Sequence, residues 1–534
     1  MDAHGGGLAV ATAATHGVDT MFTLSGGHVF PLYDGAVKGA YPMRLVDVRH
    51  EQTAVFAAEG YAKLTRTPGL AVLTAGPGVT NGVSGVTTAY FNATPLLVIG
   101  GRAPAARWGS GSLQELDHPP ILAPVTKHAG TVNETAAIPA AVHEALALAT
   151  SPRRGPVFLD IPMDILFSYA DAEIPDPAPG PQTITGDLDR VAVLVGAAER
   201  PVIVAGSDVW HDGAESALVA FAEAARVPVI ANGLGRGCLP ADHELSFSRV
   251  RGAAFAEADL VCVVGTPLDF RLAFGAFGAA QVVHLVNSGD QVARHVELAA
   301  SAAGSLGDIL RALTTAPATD HEPWLARLRA AEEAKRSEEL AQLANDATPI
   351  NPARVYGALR SRLDRDVVVI CDGGDFVSFA GKYVESYTPG CWLDPGPYGC
   401  LGTGLGYAIA ARLARPDSQV VLLLGDGAAG FSLMDVDTLV RHRLPVVMVC
   451  GNNGIWGLEK HPMQFLYGYD VAADLQPGCR YDQVVAALGG HGELVTTPDE
   501  LGPALDRAFA AGVPAMVNVL LDPAVAYPRT SNLA

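Results

Sequence analysis

Residues 420–458 constrain this chain more tightly than any other stretch. They open with an unbroken apolar run, Val420 to Leu424, which predicts a buried strand of a parallel sheet. Gly425-Asp426-Gly427 then turns the chain at the carboxyl end of that strand, the edge where open α/β sheets place their ligands. Phe431, Met434, Leu439 and Val440 follow at near-helical spacing, and a second apolar run, Pro445 to Cys450, leads into Gly451-Asn452-Asn453-Gly454. Two neighbouring parallel strands bring Asp426 and Asn453 to one edge of the sheet. A carboxylate, an amide oxygen and a nearby main-chain carbonyl are hard oxygen donors. They suit an octahedral Mg²⁺ whose other positions go to diphosphate oxygens and water. Gly425-Asp426-Gly427 alone is equally well read as an ordinary turn.

With 534 residues the chain exceeds one hydrophobic core and predicts two or three domains. Its 36 basic and 56 acidic residues leave a net charge of −20, which opposes general affinity for nucleic acid or an anionic membrane. The seven cysteines form no CxxC pair, so a reducing, cytoplasmic setting is expected and structural zinc is not. The first residues, MDAHGGGLAV, lack the pattern of a signal peptide, and no run of 18 charge-free apolar residues predicts a membrane span.

Residues 1–175 read as a first α/β domain. Thr20 to Leu24, Leu45 to Val48 and Leu70 to Thr74 are expected strands, with Ser25-Gly26-Gly27-His28, Arg49-His50-Glu51 and the Gly-rich turn from Ala75 to Gly82 at their ends. Residues 167–188, rich in Pro, Asp and Gly, are expected to form a linker. A second doubly wound unit spans 190–330, with Val191 to Val195 as its expected first strand and Glu, Lys, Arg and Ala mixed in helical segments near its end. A third spans 345–525, and 526–534 is a short tail with Arg529 as its basic group.

Gly-Asp-Gly, 24 residues and Asn-Asn resembles the cofactor motif of thiamine-diphosphate enzymes. VDVRHEQTAVFAAEGYAKLTR, with the glycine-rich stretch after it, resembles the pyrimidine-binding domain of their acetolactate-synthase-like branch. The resemblance implies three doubly wound parallel-sheet α/β domains that hold the pyrimidine, a central nucleotide and the diphosphate. It implies Mg²⁺ on Asp426, Asn453 and the Ile455 carbonyl. Gly374, Asp375, Phe376, Gly425, Ala428, Ala429, Trp456 and Gly457 would line the cofactor, and Leu401 would prop it between its rings. Glu51 would exchange a proton with the aminopyrimidine, a task suited to a carboxyl in a dry site, although it could also simply cap the following helix. Gly265, Phe270, Arg236 and Arg271 would meet a nucleotide, either FAD or that of coenzyme A, with ADP a candidate. In this family the cofactor lies between subunits, so a homodimer is the minimum and a homotetramer is common.

Within the family, GNNGIWGLEK, LSGGHVFPLYD and GGHGELV are similar to the 2-hydroxyacyl-CoA lyase and oxalyl-CoA decarboxylase branch. The expected reaction is cleavage of a 2-hydroxyacyl-CoA thioester, for instance the branched 2-hydroxyisobutyryl-CoA, to formyl-CoA and a ketone or aldehyde. The alternatives are oxalyl-CoA decarboxylation and acetolactate-synthase-like carboligation of free 2-oxo acids. His28, Gln114 and Glu115 are expected near the reacting centre, with Glu493 on a Gly-rich turn as a base for the hydroxyl and Phe465 as part of the pocket wall. Trp456 and Ser25-Gly26-Gly27-His28 depart from the commoner family forms, which bears on substrate size.

Overall fold

A computed structural model describes residues 1–177, 183–314 and 320–528. The apolar runs build three six-stranded sheets. In the first, the order is Arg44–Asp47, Thr20–Thr23, Gly69–Leu73, Leu96–Arg102, Pro156–Pro162 and His128–Thr131, all parallel. The third runs Trp392–Leu393, Val368–Asp372, Val420–Gly425, Val447–Asn452, Ala515–Leu520 and His491–Val495, also all parallel. The two share one winding, in which the second strand in sequence lies outside the first and the last two swap places. Their inner strands are buried on both faces, as continuous Val, Leu and Ile runs require, while edge strands such as His128–Thr131 and His491–Val495 are partly exposed. The central sheet comprises Val229–Ala231, Pro201–Ala205, Leu260–Val264, Gln281–Val286 and Ala300–Ala303 in parallel, with Thr185–Gly186 antiparallel at its edge.

The helix after the second strand of the first sheet, Glu51–Thr65, packs on its counterpart in the third, Thr403–Ala414. Glycines let them approach: a Cβ on Gly406 would stand 2.6 Å from the Phe56 Cβ, and one on Gly60 2.9 Å from the Tyr407 ring. At this seam the Lys63 ammonium lies 2.8 Å from Glu59, and the Tyr407 hydroxyl donates to Glu59 at 2.8 Å, all three being buried. Trp210 of the central unit donates its indole N–H to the Lys63 carbonyl at 2.6 Å, so the three domains meet there.

Several expected elements differ. Residues 191–195 are helical, inside Leu188–Ala197, because Asp187 caps the segment by accepting from Arg190 N and only Val191, Leu194 and Val195 face inward. The expected linker, 167–188, starts on the last residue of the helix Met163–Phe167 and holds the strand Tyr169–Asp171, which pairs with Asp2–His4, while its residues 178–182 lie outside the described residues. Arg529 of the tail lies outside them too. After Trp456 the chain forms the helix Gly457–Tyr467, which carries Phe465. Glu493 sits not on a turn but in the edge strand His491–Val495. A Cβ on Gly490 or Gly492 would collide with the Pro514 or Asp482 carbonyl, so these glycines permit close backbone approach rather than a bend. The seven cysteines are free thiols. Among the described residues no helix is long and apolar enough to cross a membrane.

Candidate active site

At the carboxyl edge of the third sheet lies a cavity of about 500 Å³. Register pairs Gly425 with Gly451, so the two turns expected from sequence leave the sheet side by side. Asp426 starts the helix Asp426–Ser432, and its side chain is buried. One carboxylate oxygen accepts from Gly454 N at 2.7 Å and the other from Gly427 N at 3.0 Å, which ties the turns together. Burial pushes this carboxyl up to about 6. Asn453 accepts from Ile455 N at 3.2 Å. A buried carboxylate with no basic side chain against it among the described residues is the environment a bound cation relieves. Those residues contain no group of three His, Cys, Asp or Glu side chains suited to a metal.

Gly374, Asp375, Phe376, Gly425, Ala428, Asn453, Ile455, Trp456 and Gly457 all line this cavity, while Ala429 is buried behind it. Glycine is required at Gly427, where the Trp456 ring lies against the backbone, and at Gly451, where the Phe376 ring does. Leu401 lines the opposite side. Its corner is held by Asp372, a fully buried side chain that sequence reading missed. Asp372 accepts from Gly402 N at 3.1 Å and Gly404 N at 2.8 Å, with Gly402 at φ +88°. Burial pushes the Asp372 carboxyl up to about 6.

Glu51, His28 and Gln114 gather elsewhere, at the carboxyl edge of the first sheet, and none of them lines the cavity of their own chain. Glu51 begins its helix, buried, and accepts from the Asn81 amide at 3.0 Å. His28 is bonded through Nδ1 to the Thr74 hydroxyl at 3.2 Å. Burial lowers its pKa, partly opposed by its hydrogen bond to the Leu113 backbone. Gln114, at φ +59°, packs on Gly76. Glu115 is occupied within its own loop, where it accepts from Gly109 N at 3.0 Å and Ser112 N at 3.2 Å.

Gly265, Phe270 and Arg271 line a second cavity, of about 520 Å³, between the central unit and the Tyr90–Ala93 stretch and Arg153 of the first domain. Arg271 is paired there with Asp269 at 2.7 Å, and burial pushes neighbouring Asp208 up to about 6. The amide nitrogen of Asn287 and amide oxygen of Gln291 are buried nearby without partners. Arg236 is not with them. Its guanidinium lies over Trp392 at 4.3 Å, donates to the Gly381 carbonyl at 2.7 Å, and lines the first cavity together with Arg251.

Two expected residues stand apart from both cavities. Glu493 is bound by both arms of Arg507, each at 2.8 Å, and by His491 at 2.8 Å, and Arg507 holds its carboxyl below the ordinary range. Those partners account for it as a tie between the edge strand and the helix Pro498–Ala510. Phe465 is 81% exposed on the helix Gly457–Tyr467, on neither cavity wall.

Three parallel domains, a glycine-lined cavity beside a buried aspartate at one sheet edge and a buried glutamate at another define a cofactor-dependent enzyme of the thiamine type. Family models agree domain by domain. Residues 4–121 match the N-terminal TPP binding domain of thiamine pyrophosphate enzymes, 188–313 the central domain and 372–519 the C-terminal TPP binding domain. The chain therefore belongs to the thiamine pyrophosphate enzymes, in the superfamily of acetolactate synthase and oxalyl-CoA decarboxylase. It is 53% identical to the acetolactate synthase large subunit IlvG of Mycobacterium tuberculosis, over 99% of this chain and 98% of that one. It is 34% identical to 2-hydroxyacyl-CoA lyase 2 of Caenorhabditis elegans, over 97% and 89% of the two chains, and 32% identical to 2-hydroxyacyl-CoA lyase 2 of Homo sapiens, over 97% and 90%.

Proposed function

We propose that this protein is a thiamine-diphosphate- and Mg²⁺-dependent carboligase of the acetolactate-synthase type, joining free 2-oxo acids with loss of CO₂. One observation carries this over the CoA-thioester reading: 53% identity to an acetolactate synthase large subunit along nearly the full length of both chains. Bound thiamine diphosphate supplies the nucleophilic carbon and the electron sink for making and breaking the carbon–carbon bond. The protein's part is to hold, orient and exchange protons. Asp426, Asn453 and the Ile455 carbonyl hold Mg²⁺, whose charge favours the ionised form of a carboxyl that burial alone pushes up to about 6. Gly374, Asp375, Phe376, Gly425, Ala428, Trp456 and Gly457 form the cradle, and Leu401, braced through Asp372, is the prop.

Glu51 exchanges a proton with the aminopyrimidine of a cofactor held by a second copy of the chain. The separation of Glu51, His28 and Gln114 from their own chain's cavity supports a site assembled from two half-sites in a homodimer, the minimum unit of a dimer or tetramer. His28, kept neutral at neutral pH by burial, and Gln114 face the reacting carbon from the neighbouring copy. Arg236 and Arg251, which make no ion pair with a carboxylate among the described residues, give the cavity wall a positive face for an acidic substrate. Gly265, Phe270 and Arg271 take the central nucleotide, flavin or ADP.

A second reading, a 2-hydroxyacyl-CoA lyase, draws on the animal relatives of that name and on a further cavity of about 420 Å³. Arg236, Arg249, Arg251, Lys335 and Lys382 line it; Arg249 and Lys382 are paired with Glu339 and Glu385 of the same wall, which leaves Arg236 and Arg251 to meet a phosphate-bearing chain. A side-by-side assay with thiamine diphosphate and Mg²⁺ separates the readings. Acetolactate and CO₂ from pyruvate are expected; formyl-CoA from 2-hydroxyisobutyryl-CoA, with pyruvate inert, would replace the first reading by the second. Formyl-CoA from oxalyl-CoA alone would indicate the decarboxylase.

A further inference from the structure

We propose that His118, backed by Asp160, is a positioning residue that staples Gly76, in the short turn before the helix Pro77–Phe91, to the Gln114 loop and thereby sets where Gln114 and His28 stand at the reacting centre. The proposal rests on the reading that their cluster faces that centre in a neighbouring copy. The glycine-rich stretch expected as a turn from Ala75 to Gly82 is helical from Pro77 onward. His118 and Asp160 are both fully buried. The imidazole Nε2 accepts the amide hydrogen of Gly76 at 2.9 Å, so that nitrogen is unprotonated. Nδ1, 2.9 Å from an Asp160 oxygen, carries the ring hydrogen and donates it. Asp160 is itself anchored, receiving Arg102 at 2.7 Å on the same oxygen and the Thr131 hydroxyl at 2.5 Å on the other. The second arm of Arg102 reaches Asp117 at 3.0 Å, with its guanidinium 3.8 Å from the Trp108 ring centre. Residues 117 and 118 are thus held from both sides.

What they hold is the contact between two segments of the cluster. Gly76, at φ +58°, caps the helix Pro77–Phe91, and a Cβ there would stand 2.9 Å from the Gln114 Cβ. The helix that Gly76 caps carries Asn81 to Glu51, and Thr74, two residues before Gly76, holds His28. One buried bond, Gly76 N–H to His118, joins the turn to the far end of the loop that carries Gln114. A side chain there must accept from Gly76 and donate to Asp160 at once. Neutral imidazole does both, a glutamine amide does both, and leucine does neither.

Hydrogen–deuterium exchange on the full-length protein without cofactor tests the staple directly. His118→Leu is expected to speed exchange by about tenfold in peptides covering 74–82 and 109–118, with the third domain unchanged and His118→Gln close to wild type. In the loaded enzyme His118→Leu should lower kcat by about tenfold or more at nearly constant KM and cofactor affinity, and His118→Gln should recover most of it. Should the leucine variant fail to fold, Asp160→Asn is expected to move both measurements the same way by a smaller factor. Wild-type exchange and turnover in His118→Leu would overturn the proposal. So would equal losses in the leucine and glutamine variants, which mark a purely structural role. Silence of the wild-type enzyme with every substrate would instead overturn the functional reading, leaving the exchange measurement to decide the staple.

Discussion

The first and third domains wind six parallel strands in the same order, yet they do opposite things at the same edge of the sheet. In the third, glycines at 427 and 451 clear the backbone for Trp456 and Phe376, and the carboxyl edge opens into a cavity of about 500 Å³. In the first, the corresponding edge is filled by side chains: His28 on Thr74, Gln114 on Gly76, His118 on Asp160 and Glu51 on Asn81. One domain is a cradle with few chemical groups, the other a set of positioned groups with no cradle. The winding therefore specifies neither function, and the loops at the strand ends decide both.

The sharpest way to break that comparison is to disable each half separately. Glu51→Gln and Asp426→Asn should each lower turnover about 10²- to 10⁴-fold, the usual scale for a lost acid–base or charge-stabilising group. Co-expressed in one cell and purified together, the two variants should recover about one quarter of wild-type activity, because half the dimers are mixed and each holds one intact site. No recovery would place both residues in a site made by a single chain. A smaller effect addresses the seam that locks the two domains together. Lys63→Met leaves Glu59 buried without its cation and should cost about 3–5 kcal/mol of unfolding free energy, read by denaturant titration.

A pH effect follows at Asp372, which exists only on the cradle side. Its folded-state carboxyl stands at about 6 against an ordinary 3.8. Burial thus favours the protonated form, and the group's contribution to stability is lost as pH rises from 3.8 to about 6. The stability difference between wild type and Asp372→Asn should shrink across that window and level off above it, measured as paired thermal midpoints. Smallest of all, Glu493→Gln should change kcat less than about twofold, since the carboxylate serves Arg507 and His491 rather than either half-site. A tenfold loss would return it to the chemistry.

Legibility followed locality. Gly425-Asp426-Gly427 and Asn452-Asn453 could be read because each is a short turn after an unmistakable apolar strand, and register merely sets them side by side. Residues 191–195 misled because a run of Val, Ala and Leu fits a buried strand and a buried helix face equally well; the informative signal was Asp187, a helix cap three residues before Arg190. Glu493 misled because glycines at 490 and 492 look like a turn, whereas they admit the carbonyls of Asp482 and Pro514. His118 carried no local signal at all. Its partner Asp160 is 42 residues away, and its bond is to a backbone amide that any residue would offer.

By itself the sequence determined the three α/β domains and the sheet edges at which Glu51, Asp426 and Asn453 stand, because strand patterning and strand-end turns are properties of short segments. The tertiary structure alone decided which groups meet. It placed Arg236 on the first cavity instead of beside Arg271, tied Glu493 to Arg507 and His491, held the corner that carries Leu401 through Asp372 and joined the Gln114 loop to Gly76 through His118. Each of these depends on packing between segments far apart in the chain, where burial and the demand that every buried polar group find a partner choose among contacts the sequence leaves open.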